Sequence, residues 1–148
     1  MSSCSHKVIR SGYQIEKTDY VSCEIPIKKF YSVTDTNTKV VGKIELKDTG
    51  FSAGCNEQEA IEILIGEACA RKADLIVITK ESRPDFSSSC YRCEAVFYQF
   101  TSEEKPLLET DIKKDEVEER VLSDKKRNQT IFWTSFAVGF VIGFILVQ

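Results

Sequence analysis

The sequence contains one cysteine pair whose spacing could carry chemistry. Cys90 and Cys93 lie in the stretch SSCYRC, in a C-x-x-C arrangement. This spacing can be half of a zinc site, a redox dithiol or two unrelated thiols. A zinc site needs four ligands, and Cys55 is a candidate for only a third. A thioredoxin-like pair begins a helix, whereas this pair leads into a predicted strand. We therefore expect no metal and no cofactor.

The remaining cysteines lie in different settings along the chain. Cys55 directly precedes a predicted helix, where the helix dipole would lower the pKa of an exposed thiol. Cys69 lies on the apolar face of that helix, which favours a buried core thiol. Cys23 lies in a predicted strand, and Cys4 lies in an N-terminus, residues 1–19, that we expect to be flexible.

The globular signals fall between residues 20 and 101. YVSCEI, VVGKIEL, DLIVIT and RCEAVFYQF read as strands, because they are rich in β-branched and aromatic residues. NEQEAIEILIGEACARKA reads as a helix with one apolar face, and Asn56 with Glu59 forms a capping box at its start. The segment PIKKFYSVTDTNT between the first two strands reads as loop. We therefore predict a small α+β domain of order β-β-α-β-β, with the helix packed on one face of a sheet.

An apolar C-terminal segment follows the domain. Residues 131–147 contain no charged residue, and as a helix they are just long enough to cross a bilayer core. We therefore predict a transmembrane helix at residues 130–148 and a single-pass, tail-anchored protein in contact with membrane lipid. Lys125, Lys126 and Arg127 precede this segment, so the positive-inside rule favours a cytoplasmic domain.

Small residues recur along one face of the predicted transmembrane helix. Ser135, Gly139 and Gly143 are spaced every four residues. Such residues let two helix backbones approach closely in lipid. This pattern predicts a homodimer formed through the membrane segment.

A charged segment, residues 102–129, separates the predicted domain from the membrane. Acidic and basic residues are intermixed there, and a few aliphatic residues lie among them at irregular spacing. We interpret it as a solvated, partly helical stalk rather than a coiled coil. The net charge of the whole chain is −3 with mixed signs, so nothing indicates a nucleic-acid partner.

The cysteine content and the charge pattern point to different compartments. Six cysteines in an oxidising compartment would suggest disulfides, whereas in a reduced cytosol they would be thiols or metal ligands. The basic residues before residue 131 favour the cytosol.

Several stretches of the domain resemble the RcsF family of outer-membrane lipoproteins, which signal envelope stress to the Rcs phosphorelay. These stretches are VVGKIELKDTGFSAGC, ADLIVITKE, SSSCYR and CEAVFYQF, which together span about residues 40–100. The most specific matches are Gly42, Cys55, the segment 73–78 and the Cys90-Tyr91-Arg92 motif. The resemblance implies that Cys55 and Cys90 are neighbours within reach of a disulfide, and we take them as the candidate disulfide pair.

The chain also departs from that family. Glu81 and Val96 stand where the family has its second disulfide, and the family has a lipoprotein signal rather than an apolar tail. The opening MSSC is similar to the end of a lipobox with Cys4 as the lipidated residue. If translation began upstream, the domain would be exported and periplasmic, and Cys55 and Cys90 would be oxidised.

These features favour a membrane-anchored, non-enzymatic adaptor or envelope-stress sensor that acts through contacts with a protein partner. No histidine lies in the predicted domain, and no convergent carboxylates or Gly-rich loop suggest an enzyme. The alternative is a membrane-tethered thiol-redox or metal-binding protein that uses Cys55, Cys90 and Cys93.

Overall fold

A computed structural model of the chain describes residues 6–15, 23–34, 36–49, 55–85, 88–102, 106–113, 115–127 and 129–130. The strands are β1 (Lys7–Ser11), β2 (Ile27–Lys29), β3 (Thr38–Lys47), β4 (Leu75–Ser82) and β5 (Arg92–Phe100). The helices are α1 (Glu57–Ala70) and α2 (residues 115–127, with residues 129–130 also helical).

The five strands form one mixed sheet in the order β1-β3-β5-β4-β2. All neighbouring pairs are antiparallel except β2 and β4, which are parallel. Helix α1 packs on β3, β4 and β5, on one face of this sheet. The predicted α+β class and the helix-on-sheet arrangement are therefore confirmed, whereas the predicted order β-β-α-β-β lacks one strand before α1 and the helix α2.

The core lies between α1 and the sheet, and the residues of β3 alternate accordingly between buried and less buried positions. Gly42, Ile44 and Leu46 of β3 are buried, whereas Lys43 and Lys47 between and beyond them are exposed. The buried side chains of α1, β4 and β5 include Leu64, Ile76, Ile78, Ala95 and Phe97. The sequence predicted strands β3, β4 and β5 and helix α1 at these positions.

Glycine is required at position 42 because an aromatic ring lies against its backbone. A Cβ added to Gly42 would lie 2.7 Å from Cδ1 and 2.8 Å from Cε1 of Tyr13. The Tyr13 ring in turn lies 6.1 Å from the ring of Phe97. The residue singled out by the resemblance therefore makes room for a side chain from the N-terminal part of the chain.

The expectation of a flexible N-terminus is wrong for residues 7–11, which form β1. This strand pairs with β3, from Lys7 opposite Lys47 to Ser11 opposite Lys43. Arg10 anchors β1 to the helix, since its Nε donates to Glu67 at 2.8 Å, and Tyr13 donates to the same carboxylate at 2.9 Å. Glu67 is fully buried, so these two side chains satisfy a charge that would otherwise be costly to bury.

The predicted strand at YVSCEI is wrong in its described part, residues 23–25, where the chain has no regular structure. The strand forms instead at Ile27–Lys29, within the segment predicted as loop. Ion pairs hold it there, because Lys28 contacts Asp111 at 2.8 Å and Lys29 contacts Glu81 at 2.8 Å. Both partners are distant in sequence, so local propensity does not reveal them.

Part of the segment interpreted as a solvated stalk packs on the domain. Ile112 and Val117 are buried in the same core cluster as α1 and the sheet, and Val121 packs against it. The described part of the chain contains no helix that is long and apolar enough to cross a membrane. The predicted transmembrane helix, including Ser135, Gly139 and Gly143, lies outside the described residues apart from Thr130.

Candidate functional site

Two disulfides flank helix α1. Cys55 and Cys90 are bonded, with their Cα atoms 4.9 Å apart, and Cys23 is bonded to Cys69 with a Cα separation of 6.0 Å. Both separations lie within the range usual for disulfides, about 4.4–6.8 Å. The expectation of a disulfide is confirmed, and the pair implied by the resemblance to the RcsF family is bonded.

The second disulfide was not predicted, and it corrects the interpretation of Cys69 as a buried thiol. Cys69 lies at the end of α1 and is only half-buried, and its partner Cys23 is exposed. Cys23 lies outside any strand, just before β2. The apolar face of α1 placed Cys69 near the core, but spacing alone did not indicate which cysteine it meets.

Cys93 is the free cysteine of the described residues. It lies in β5, 3 % exposed, and is not paired with Cys90 despite the C-x-x-C spacing. Burial and then the nearby charge of Glu81 raise the pKa of the Cys93 thiol to about 12. Within the described residues, no group of three or more histidine, cysteine or acidic side chains is arranged to hold a metal ion.

The Cys55–Cys90 disulfide joins the start of α1 to the start of β5. The backbone N–H of Tyr91 donates to the carbonyl of Cys55 at 2.8 Å, which adds a second link beside the covalent one. Nε2 of His6 lies 2.8 Å from the carbonyl oxygen of Tyr91. The N-terminal strand, the helix and the last strand therefore meet at this disulfide.

A buried carboxylate lies two residues after Cys55. Glu57 is in the first turn of α1, where the helix dipole favours a negative charge, and its side chain is 0 % exposed. Asn56 caps this helix by accepting the Glu59 amide at 2.9 Å, as the capping pattern predicted. The cap fixes the first turn and therefore the position of the Glu57 side chain.

Three basic side chains surround Glu57. Arg83, from the segment after β4, donates to Oε2 at 2.7 Å. Arg120 of α2 binds both oxygens, with Nη2 at 2.9 Å from Oε1 and Nε at 3.0 Å from Oε2. Lys29 of β2 lies 3.5 Å from Oε1. We call Glu57, Arg83, Arg120 and Lys29 the Glu57 cluster.

The Glu57 cluster holds the carboxylate in its charged form. Burial raises the pKa of Glu57, but the hydrogen bonds from Arg120 and Arg83 outweigh it and hold this pKa below its ordinary value of 4.5. The same hydrogen bond raises the pKa of Arg120. The fork of Arg120 on one carboxylate is the geometry that gives arginine its strong, oriented ion pairs.

A second carboxylate extends this network towards the disulfide. Glu81 of β4 accepts from Lys29 and from the hydroxyl of Tyr91, both at 2.8 Å. Tyr91 follows Cys90 directly, and burial raises the pKa of its hydroxyl far above the usual range. A continuous set of contacts therefore runs from the Cys55–Cys90 disulfide through Glu81 and Lys29 to Glu57 and α2.

Further contacts hold the end of α2. Asp124 lies 3.2 Å from Arg83 and 3.1 Å from Arg127. The guanidinium of Arg127 also contacts the carbonyl of Pro84. Arg127 was predicted to set the orientation of a transmembrane helix, a prediction that the described residues do not test. In the structure its guanidinium contacts the domain.

The residues of the Glu57 cluster were not predicted from the sequence. One signal was available, because Val117 and Arg120 are three residues apart and so share one face of a helix. That face was not distinguished from the many charged positions around it. Arg83 and Lys29 come from segments that gave no signal of a shared site.

No known protein-family model matches the chain, and neither a curated protein nor a solved structure matches it significantly. The resemblance to the RcsF family rests chiefly on Gly42, Cys55, the segment 73–78 and the Cys90-Tyr91-Arg92 motif.

Proposed function

We propose that this chain is a membrane-anchored, non-enzymatic sensor or adaptor that acts through protein contacts and responds by docking or releasing α2. The observation that carries this proposal is the ion pair between Glu57 of the domain and Arg120 of α2. Helix α2 directly precedes the apolar segment 131–147, which we propose as the membrane anchor. The contact therefore lies between the folded domain and its attachment to the membrane.

The composition of the contact supports a releasable helix. Val117 and Val121 supply its apolar packing. Arg120 and Asp124 supply ion pairs to the domain, and Arg127 donates to a backbone carbonyl there. Burying a charge carries a desolvation cost that offsets much of the attraction, so such contacts give orientation more than net stability. Elements with little buried apolar area are those that open first in a folded protein.

The two disulfides support an oxidising compartment, and therefore an exported domain. The basic residues at positions 125–127 favour the opposite orientation. That rule applies to short flanking loops, however, and long domains cross membranes largely regardless of charge. Here the preceding chain is well over a hundred residues long, so the disulfides are the stronger indicator of the compartment.

The resemblance to the RcsF family supports the sensor class. The bonded pair Cys55–Cys90 agrees with what that resemblance implies. In the second pair, Cys23–Cys69, Cys23 lies outside the residues that the resemblance covers. Pairing of two chains through Ser135, Gly139 and Gly143 remains part of the proposal.

The alternative, a thiol-redox or metal-binding protein, has weaker support. It requires Cys55, Cys90 and Cys93 to act together, but the first two are bonded to each other. The third is buried, and its raised pKa keeps it protonated at neutral pH.

Thiol trapping in cells that express the full chain tests this proposal. We expect the chain to stay in the membrane pellet after carbonate extraction. We also expect Cys23, Cys55, Cys69 and Cys90 to resist a maleimide reagent until a reductant is added. A variant lacking residues 131–147 is the matched control and should leave the pellet. Extraction of the full chain by carbonate, or four cysteines alkylated without reductant, would contradict the proposal.

A further inference from the structure

One edge of β3 lacks a neighbouring strand over part of its length among the described residues. Strand β1 covers β3 only from Lys43 onwards, and its last pair is Ser11 opposite Lys43. Strand β3 extends back to Thr38, and β5 pairs with this extension on its other side, with a shift in register between Val40 and Gly42. No strand among the described residues lies beside residues 39–42 on the β1 side, and we call this stretch the β3 edge.

The chain turns away from the β3 edge just where β1 ends. Gly12 has a φ of +84°, in the region that favours glycine, and Tyr13 then packs over Gly42 on the face towards α1. A groove of about 500 Å³ lies beside the edge, and Ser11, Gly12 and Val40 contribute to its lining. Its lining therefore combines the end of β1 with residues 39–43 of β3.

The charge of this groove has one sign. Lys39, Lys43 and Arg71 line it, and no acidic residue does. None of these three side chains forms an ion pair with a residue that the structure describes. Nε of Arg71 donates to the carbonyl of Val41 at 3.2 Å, which fixes the guanidinium beside the edge. Val40 adds an apolar side chain that is 46 % exposed.

We propose that the β3 edge binds an extended acidic segment of a partner protein as an added strand. Backbone hydrogen bonds to an open sheet edge supply affinity, and side chains beside the edge supply specificity. Here two lysines and an arginine would pair with acidic side chains, and Val40 would contact an apolar residue between them. This surface lies apart from α2, so the inference does not depend on the release of that helix.

Fluorescence anisotropy with a defined peptide tests this inference. The probe is a labelled nine-residue peptide of alternating glutamate and valine, added to the full chain in detergent. We expect binding that weakens as salt rises, because the lysines are exposed. We expect at least a tenfold loss of affinity in the double variant Lys39→Glu/Lys43→Glu. The matched control, Lys125→Glu/Lys126→Glu, changes the same charge on α2 and should bind as the unchanged protein does.

A second probe separates strand pairing from simple charge attraction. The same peptide with N-methylated amides at alternate positions keeps its charge but cannot complete a hydrogen-bonded ladder. We expect it to bind at least tenfold more weakly, and we expect the unmodified peptide to slow amide exchange at residues 39–42. Equal binding of both peptides, equal binding by both double variants, or no binding at all would overturn the inference. In that case the lysines serve only to protect an exposed edge from aggregation.

Discussion

The guanidinium of Arg120 grips both carboxylate oxygens of Glu57, at 2.9 Å and 3.0 Å, although 63 residues separate them in the chain. Glu57 has no exposed side-chain surface, whereas Arg120 retains 29 % exposure. The carboxylate therefore belongs to the domain, and the arginine reaches it from the helix that leads to the proposed membrane anchor. The ion pair between Glu57 and Arg120 is therefore the central contact between the domain and helix α2.

Acidification should weaken the docking of α2. The pKa of Glu57 lies below its ordinary value of 4.5 in the folded protein, because the hydrogen bonds of Arg120 and Arg83 outweigh the effect of burial. Its contribution to stability is therefore complete above about pH 4.5 and is lost as the pH falls through the lowered pKa. We expect amide exchange at residues 115–127, corrected for the intrinsic effect of pH, to accelerate below pH 4.5.

The variant Glu57→Gln is the control for this acid response. It removes the titrating group while keeping the shape of the side chain, so it should undock α2 at neutral pH and flatten the acid dependence. Arginine side chains in general keep their charge throughout this range. An acid response of the same size in Glu57→Gln would assign the effect to other carboxylates, such as Glu81.

Shortening Val117 should destabilise the protein through lost packing. Its side chain is 1 % exposed and lies in the core cluster with Ile112. Removing two methyl groups from such a site costs about 2 kcal/mol, counting both the transfer of the methyl groups and the remaining cavity. Urea denaturation of Val117→Ala measures this loss.

Leu122→Ala is the matched variant for that measurement. Leu122 lies on the same helix but is 61 % exposed, so we expect a change below about 0.5 kcal/mol. If Val117→Ala were as stable as Leu122→Ala, α2 would not pack on the domain as described.

Removing the Cys55–Cys90 bridge should destabilise the domain. The bridge closes a loop with a sequence separation of 35, for which the chain-entropy model gives about 4 kcal/mol. We expect Cys55→Ala/Cys90→Ala to lower the midpoint of urea denaturation under oxidising conditions. With excess reductant, the unchanged protein should be destabilised too. A double variant as stable as the oxidised protein would show that the bridge contributes nothing.

Cys93 should be unreactive in the folded protein. Burial and the charge of Glu81 raise the pKa of its thiol to about 12, so almost no thiolate is present at pH 8. Mass spectrometry of the peptide that contains Cys93 should detect iodoacetamide adducts only after unfolding in urea. Rapid labelling of the native protein at pH 8 would favour the thiol-redox alternative.

The regular elements of the domain could be predicted because their signals are local. The apolar run of β4, the alternation of β5 and the capping residue Asn56 each act within a few residues of chain. Strand β1 was missed because it is short and lies in a polar setting. Its stability comes from β3 and from the buried carboxylate of Glu67, which is 57 residues away in sequence from Arg10.

The candidate site could be predicted only in part. The Cys55–Cys90 neighbourhood came from a resemblance, whereas Cys23 and Cys69 gave no sign of pairing because nothing in their spacing distinguishes partners. The Glu57 cluster could not be predicted from the sequence for a related reason. A charged side chain in a sequence is usually solvated, and only the folded chain brings Arg120 to the same carboxylate as Arg83.

Hydrogen exchange across α2 in the full chain, held in lipid nanodiscs, tests the central claim most directly. We expect the amides of residues 115–127 to open at a lower free energy than those of β5. Arg120→Ala should accelerate exchange on α2 by at least about tenfold, equivalent to roughly 1.4 kcal/mol, and leave β5 unchanged. Lys125→Ala removes the same charge from an exposed position of this helix and should have little effect. Exchange of α2 together with β5 in a single opening, or exchange unaltered by Arg120→Ala, would contradict the account.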